Sequence, residues 1–157
     1  MRCVIQRSGP ASVSVDGREI GAIERGLVVL AAFAPTDTDA ELEWMARKLP
    51  DLRIFEDAGG KMNLSLRESG GSILLVSQFT LYGDCRKGNR PSFMGSAPPA
   101  QAEDMYERFG GILRRHWPAV AEGDFGAMMD VQLTNQGPVT VIIDREAPAA
   151  GAQGERR

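Results

Sequence analysis

The chain has 157 residues, 43% hydrophobic and 25% charged, enough for one domain whose core needs no disulfide or metal, and too apolar for an intrinsically disordered chain. Eighteen Lys and Arg against 21 Asp and Glu leave a net charge of −3, which argues against coating nucleic acid through a general basic footprint and against DNA as a partner, while permitting a local patch for one RNA end. The longest apolar runs, 26–34 and 73–76, are too short to cross a bilayer, the opening residues lack the apolar stretch of a secretory signal, and Cys3 and Cys85 form no metal-ligand pattern. The expectation is a cytoplasmic protein with no cofactor and no membrane partner.

In chain order, Cys3 to Arg7 and Ala11 to Val15 read as short strands joined at Gly9-Pro10, with Val13 and Val15 alternating with Ser12, Ser14 and Asp16. Asp16-Gly17 has the composition of a hairpin turn into Arg18 to Ile23. The continuous apolar run from Gly26 to Phe33 has the length of a central strand. A helix is predicted over Asp37 to Leu49. Leu42, Met45, Ala46 and Leu49 share one face, Thr38 with Glu41 makes a capping box, and Pro50 ends it. Leu52 to Phe55 and Met62 to Leu66 form a predicted hairpin around Asp57-Ala58-Gly59-Gly60, and Ser72 to Leu81 has the strongest strand pattern in the chain.

Tyr82 to Pro99 is a loop of 18 residues rich in Gly, Pro, Ser and Arg, a length often tied to function or disorder. A second helix over Ala100 to Arg115 places Ala102, Met105, Tyr106, Phe109, Ile112 and Leu113 on its inner face. Met128 to Thr134 and Val139 to Asp144 then read as two strands around Asn135-Gln136-Gly137-Pro138. From Glu146 the chain has no large apolar residue, so residues 1–145 are expected to form the domain and 146–157 a flexible tail. Strands outnumber helices without strict β-α-β alternation. The expected class is α+β: a β-rich single domain with antiparallel sheets curling toward a barrel and two main helices.

Familiar catalytic groups are scarce. His116 is the single histidine, at a helix end beside Arg114 and Arg115, and reads as structural. Cys85 lies near Arg86 and Lys87 but has no evident base partner, so it reads as a surface cysteine. Two segments are less ordinary. Ser77-Gln78-Phe79-Thr80-Leu81 closes the strongest strand. Alternation puts Ser77, Phe79 and Leu81 on one face and Gln78 and Thr80 on the other. Backbone N–H groups past such a strand end can serve as oxyanion donors, although a strand emerging into solvent would look the same. Asn135-Gln136-Gly137-Pro138-Val139-Thr140 holds a proline between strands, where a trans hairpin turn is the default.

Together these two segments resemble the signature motifs of the D-aminoacyl-tRNA deacylase family. The resemblance extends to Ile5-Gln6-Arg7 with Ala11-Ser12-Val13, Arg53-Ile54-Phe55 with Gly60-Lys61-Met62-Asn63-Leu64, and Arg86-Lys87-Gly88 with Arg90-Pro91-Ser92-Phe93. It spans residues 1 to 144. Gln136 departs from the acidic or small residue usual before the Gly-Pro pair.

The resemblance implies a hydrolase that cleaves the ester between a D-amino acid, or glycine, and the terminal adenosine of tRNA. It implies a homodimer with a Gly137-Pro138 pair, cis rather than trans, entering each site from the other subunit. Its two carbonyl oxygens would hold the substrate's α-ammonium so that an L side chain meets main-chain atoms, and Arg7 would brace the turn. Ser77, Gln78, Phe79 and Thr80 would form the catalytic segment, with backbone N–H groups around Phe79 and Thr80 stabilising the oxyanion. Either a water oriented by the ribose hydroxyl or the Thr80 hydroxyl would attack. Phe79 would stack on adenine or pack as a buried aromatic. Arg86, Lys87 and Arg90 would contact tRNA phosphates or stand as a solvated cluster. A relative with a trans Gly-Pro pair and wider tolerance for L-amino acids, or a non-catalytic dimer that binds RNA ends or a metabolite, are the alternatives.

Overall fold

The computed structural model describes residues 1–148, so most of the expected tail, 149–157, lies outside the described residues. Eight strands and three α-helices run in the order β1 (Arg2–Val15), β2 (Arg18–Ile23), β3 (Gly26–Ala32), α1 (Asp39–Lys48), β4 (Phe55–Glu56), β5 (Met62–Leu64), α2 (Leu66–Ser69), β6 (Ser72–Ser77), α3 (Pro99–His116), β7 (Val120–Glu122) and β8 (Asp130–Asp144). Six strands form one mixed sheet in the order β2-β1-β3-β6-β7, with β8 also on β1, while β4 and β5 make a separate hairpin. Strand β1 is antiparallel to β2, β3 and β8, whereas β3–β6 and β6–β7 are parallel. The sheet curls almost to closure. A side-chain carbon at Gly21 of β2 would lie 2.7 Å from the Glu122 carbonyl oxygen of β7, so glycine permits that approach.

The unbroken apolar runs of β3 and β6 follow from burial on both faces. Leu27, Val29, Ile73 and Leu75 join the core beneath the helices, while Val28, Leu74 and Val76 fill the barrel with Val13 and Ile23. Helix α1 contributes Leu42, Met45 and Ala46, and all six residues expected on the inner face of α3 are buried. Phe109 meets Phe33 edge-on at 6.1 Å between ring centres. Each fully buried side chain of this size contributes roughly 1.5–3 kcal/mol. The Thr38–Glu41 capping box forms, and the Asp16-Gly17 turn places both residues at positive φ, as a tight hairpin requires.

Several boundaries differ from the sequence reading. β1 is one continuous strand through Gly9-Pro10, not two. Its pairing with β3 ends at Ser8 and its pairing with β2 begins at Ala11, so Pro10 sits where no ladder donor is demanded. β8 is likewise a single strand from Asp130 to Asp144, although its register on β1 shifts across the Gly-Pro pair. The Gly137–Pro138 bond is cis, as the resemblance implies and against the trans default; Gly137 sits at φ +133, where other residues are strained. The short α2 and β7 carry too few residues for a periodic signal, and residue 66, expected in a strand, opens α2. Among the described residues, no helix is long and apolar enough to cross a membrane.

Candidate active site

Strand β6 stops at Ser77, and Phe79–Tyr82 form one 3₁₀ turn. The expected alternation through Leu81 therefore fails: after the Gln78 N–H donates to the Ala31 carbonyl at 2.8 Å, the chain closes on itself, with Leu81 N–H on Gln78 O at 3.2 Å and Gly83 N–H on Thr80 O at 2.9 Å. The first N–H groups of such a turn, those of Phe79 and Thr80, have no intrahelical acceptor. The Gln78 side-chain amide donates to the Thr80 hydroxyl oxygen. An amide donor cannot take up a proton, so Thr80 has no general base in this partner.

Ser77, Gln78 and Phe79 line a cavity of about 1040 Å³, closed on other sides by Phe93, Pro98 and Met128. Phe79 is 55% exposed and meets the edge of Phe93 at 5.1 Å between ring centres. It is an open apolar wall rather than a core residue. Met94 also lines the cavity, and it and Met128 are 90% and 89% exposed. The sequence assigns Phe93, Pro98 and Met128 no place in this wall, because they approach from the long loop and from the segment before β8, away from Phe79 in the chain.

A smaller cavity of about 480 Å³ adjoins through Ser92 and Met94 and is lined by Arg2, Tyr82, Asp84 and Arg86. Arg86 is held by Asp84 through contacts of 2.9 and 2.6 Å. Those hydrogen bonds pull the Asp84 carboxyl down to about 2. Lys87 and Arg90 are exposed on the same loop and make no ion pair among the described residues.

Arg7, Gly137 and Pro138 form a second cluster elsewhere. Arg7 is 8% exposed, yet its guanidinium is satisfied by two carbonyls. Nε donates to Gln136 O at 2.9 Å and Nη1 to Ile54 O at 2.8 Å, with Glu56 3.7 Å away. Thus the hairpin of β4 and β5 and the Gly137–Pro138 turn are tied through one side chain, a role for Ile54 that no sequence pattern reveals. The register separates this cluster from the cavity. Ser77 lies beside Ala31 of β3, whereas Arg7 lies beside Leu27. Four strand residues span about 13 Å, so the Gly137–Pro138 turn stands at the opposite end of β3 from Ser77 of its own chain. His116 is occupied by Glu43, at 2.6 Å.

The family model described as D-Tyr-tRNA(Tyr) deacylase matches residues 4–144. A D-aminoacyl-tRNA deacylase of Desulfatibacillum aliphaticivorans is 58% identical over 144 residues, covering 92% of this chain and 99% of that protein. One from Thermus aquaticus is 55% identical, covering 92% and 95%. Among solved structures, the c-Myc DNA Unwinding Element Binding Protein matches with a TM-score of 0.88 at 43% identity, over 94% of this chain and 100% of that one. A probable eukaryotic D-amino acid tRNA deacylase shares the fold, with a TM-score of 0.81 at 21% identity, over 92% and 98%. A family match running through both motif segments and nearly the whole described chain, joined to relatives of this identity, places the chain in the D-Tyr-tRNA(Tyr) deacylase family.

Proposed function

We propose that the protein hydrolyses the ester linking a D-amino acid, or glycine, to the terminal adenosine of tRNA, and that it does so as a homodimer in the cytoplasm. The observation that carries this reading is the split between the two motif clusters. Ser77 to Phe79 open on a largely apolar cavity of about 1040 Å³, while the exposed Gly137–Pro138 turn stands about four strand residues away along β3. A second subunit would supply the missing wall. In that arrangement the carbonyl oxygens of Gly137 and Pro138 accept from the substrate's α-ammonium, and an L side chain is driven against main-chain atoms. Rejection by exclusion leaves glycine as a substrate.

The N–H groups of Phe79 and Thr80 then face the developing oxyanion, a contribution of roughly 3–4 kcal/mol for a well-placed donor. Water, oriented by the free ribose hydroxyl, is the nucleophile in this reading, because the Thr80 hydroxyl is engaged by the Gln78 amide instead of a base. Phe79 offers its exposed face to adenine, and Lys87 and Arg90, beside an Arg86 already paired with Asp84, provide the local positive charge toward the acceptor strand. The net charge of −3 lacks the footprint for DNA as an alternative partner.

The test is hydrolysis of D-tyrosyl-, L-tyrosyl- and glycyl-tRNA on one tRNA body, at enzyme far below substrate. The D and glycyl esters are expected to be cleaved and the L ester spared, and a terminal 2′-deoxyadenosine is expected to abolish turnover. Equal D and L rates would overturn the carbonyl account. Normal turnover of the deoxy substrate would transfer the nucleophile's role to Thr80, and no turnover of any ester would leave a non-catalytic binder of RNA ends.

A further inference from the structure

The ladder between β1 and β8 pairs Ser8 with Asn135 and then Gln6 with Thr140. Between those pairs β1 contributes one residue, Arg7, and β8 contributes four, 136–139. The excess is the Gly137–Pro138 turn, and over it the backbone ladder is interrupted. Pro138 has no N–H to pair, and the Val139 N–H has lost its cross-strand partner.

A single side chain compensates. The Oδ1 of Asn135 accepts from the Val139 N–H at 2.7 Å, and its Nδ2 donates to the Thr140 hydroxyl at 2.9 Å. Gln6 Nε2 approaches the same hydroxyl at 3.4 Å. Upstream, Arg7 Nε holds the Gln136 carbonyl. The turn is therefore clamped on both flanks, by a guanidinium before it and an amide after it, leaving the carbonyls of Gly137 and Pro138 outside the clamps.

We infer that Asn135, with Thr140 as its second anchor, is a positioning residue for stereochemical selection. It touches no substrate and acts by fixing the directions of the Gly137 and Pro138 carbonyls. This inference rests on the proposed function, in which those oxygens receive the α-ammonium.

The test compares the ratio of kcat/KM for D-tyrosyl-tRNA to that for L-tyrosyl-tRNA in the full-length protein and three variants. Asn135→Ala removes both hydrogen bonds and is expected to shrink the ratio about tenfold or more, the scale of ~1.4 kcal/mol, through a higher KM on the D ester and measurable cleavage of the L ester. Asn135→Asp keeps the acceptor for Val139 N–H and can accept from the Thr140 hydroxyl in turn, so it is expected to restore most of the ratio. Thr140→Val removes only the second anchor and is expected to fall between. A merely structural role would lower stability and leave the ratio alone. If Asn135→Ala melts too low to assay, Thr140→Val carries the decision. A variant that folds and keeps the wild-type ratio overturns the inference while the proposed function stands. Wild-type protein that cleaves D and L esters equally overturns the proposed function, and this inference falls with it.

Discussion

Replacing Arg7 with methionine tests the link between the hairpin and the turn. Methionine keeps the apolar stem of the side chain and deletes the guanidinium, which donates at 2.8 Å to the buried Ile54 carbonyl and at 2.9 Å to the Gln136 carbonyl. Hydrogen bonds to a charged donor are worth roughly 1.5–3 kcal/mol each, and the buried carbonyl left behind adds to the loss. Relief of the guanidinium's desolvation offsets part of it. The Glu56 contact, at 3.7 Å to a largely exposed carboxylate, adds little. The net expectation is a loss of about 3 kcal/mol, or a fall in Tm of about 6–12 °C for a chain of this size. Circular dichroism melting, with urea titration at unchanged m-value, reads it directly. Arg7→Lys retains one charge without the fork that reaches two carbonyls, and is expected to recover less than half. A drop below about 2 °C for Arg7→Met would refute the reasoning, since the guanidinium would then not be joining these two segments.

Phe79→Ala separates a binding aromatic from a core one. With the ring 55% exposed and only an edge contact to Phe93, Tm is expected to fall by about 2–4 °C, while kcat/KM on D-tyrosyl-tRNA drops about tenfold or more from lost base stacking. The reverse pattern would place the ring in the core. The two thiols are expected to differ in reactivity. Burial pushes the Cys3 thiol up to about 12, so it stays protonated at pH 8 and resists a thiol reagent until the protein unfolds. Cys85 is exposed and is expected to react at once; two thiols titrating in the native state would contradict the burial of Cys3.

Much of the scaffold was legible because its signals are local. The Thr38–Glu41 box, the inner face of α3 and the Asp16-Gly17 turn each lie within one or two turns of chain, and each forms as the residue pattern requires. The end of β6 was not, because Ser77 to Leu81 alternates like a strand and only the loss of β3 as a neighbour beyond Ala31 turns it into a 3₁₀ bend. Pro10 misled in the other direction, since a change of pairing partner can excuse the missing donor. The motif residues 77–80 and 137–138 were picked out by family resemblance more than by periodicity. Phe93, Ile54 and Asn135 stand inside the motif segments and Met128 at a strand start, yet the sequence assigns none of them a role, because their importance is a matter of which distant segments meet.

The ladder of β1 with β8, from Arg2 against Asp144 to Ser14 against Asp130, also constrains how the molecule comes into being. Strand β1 leaves the ribosome more than a hundred residues ahead of its β8 partner, so contacts of long sequence separation must wait for late closure. Until then one side of β1 is an unsatisfied edge open to aberrant pairing. The strand that finally covers it is also the one bearing Gly137 and Pro138, so shielding from aggregation and arrival of that turn are a single event in the life of the nascent chain.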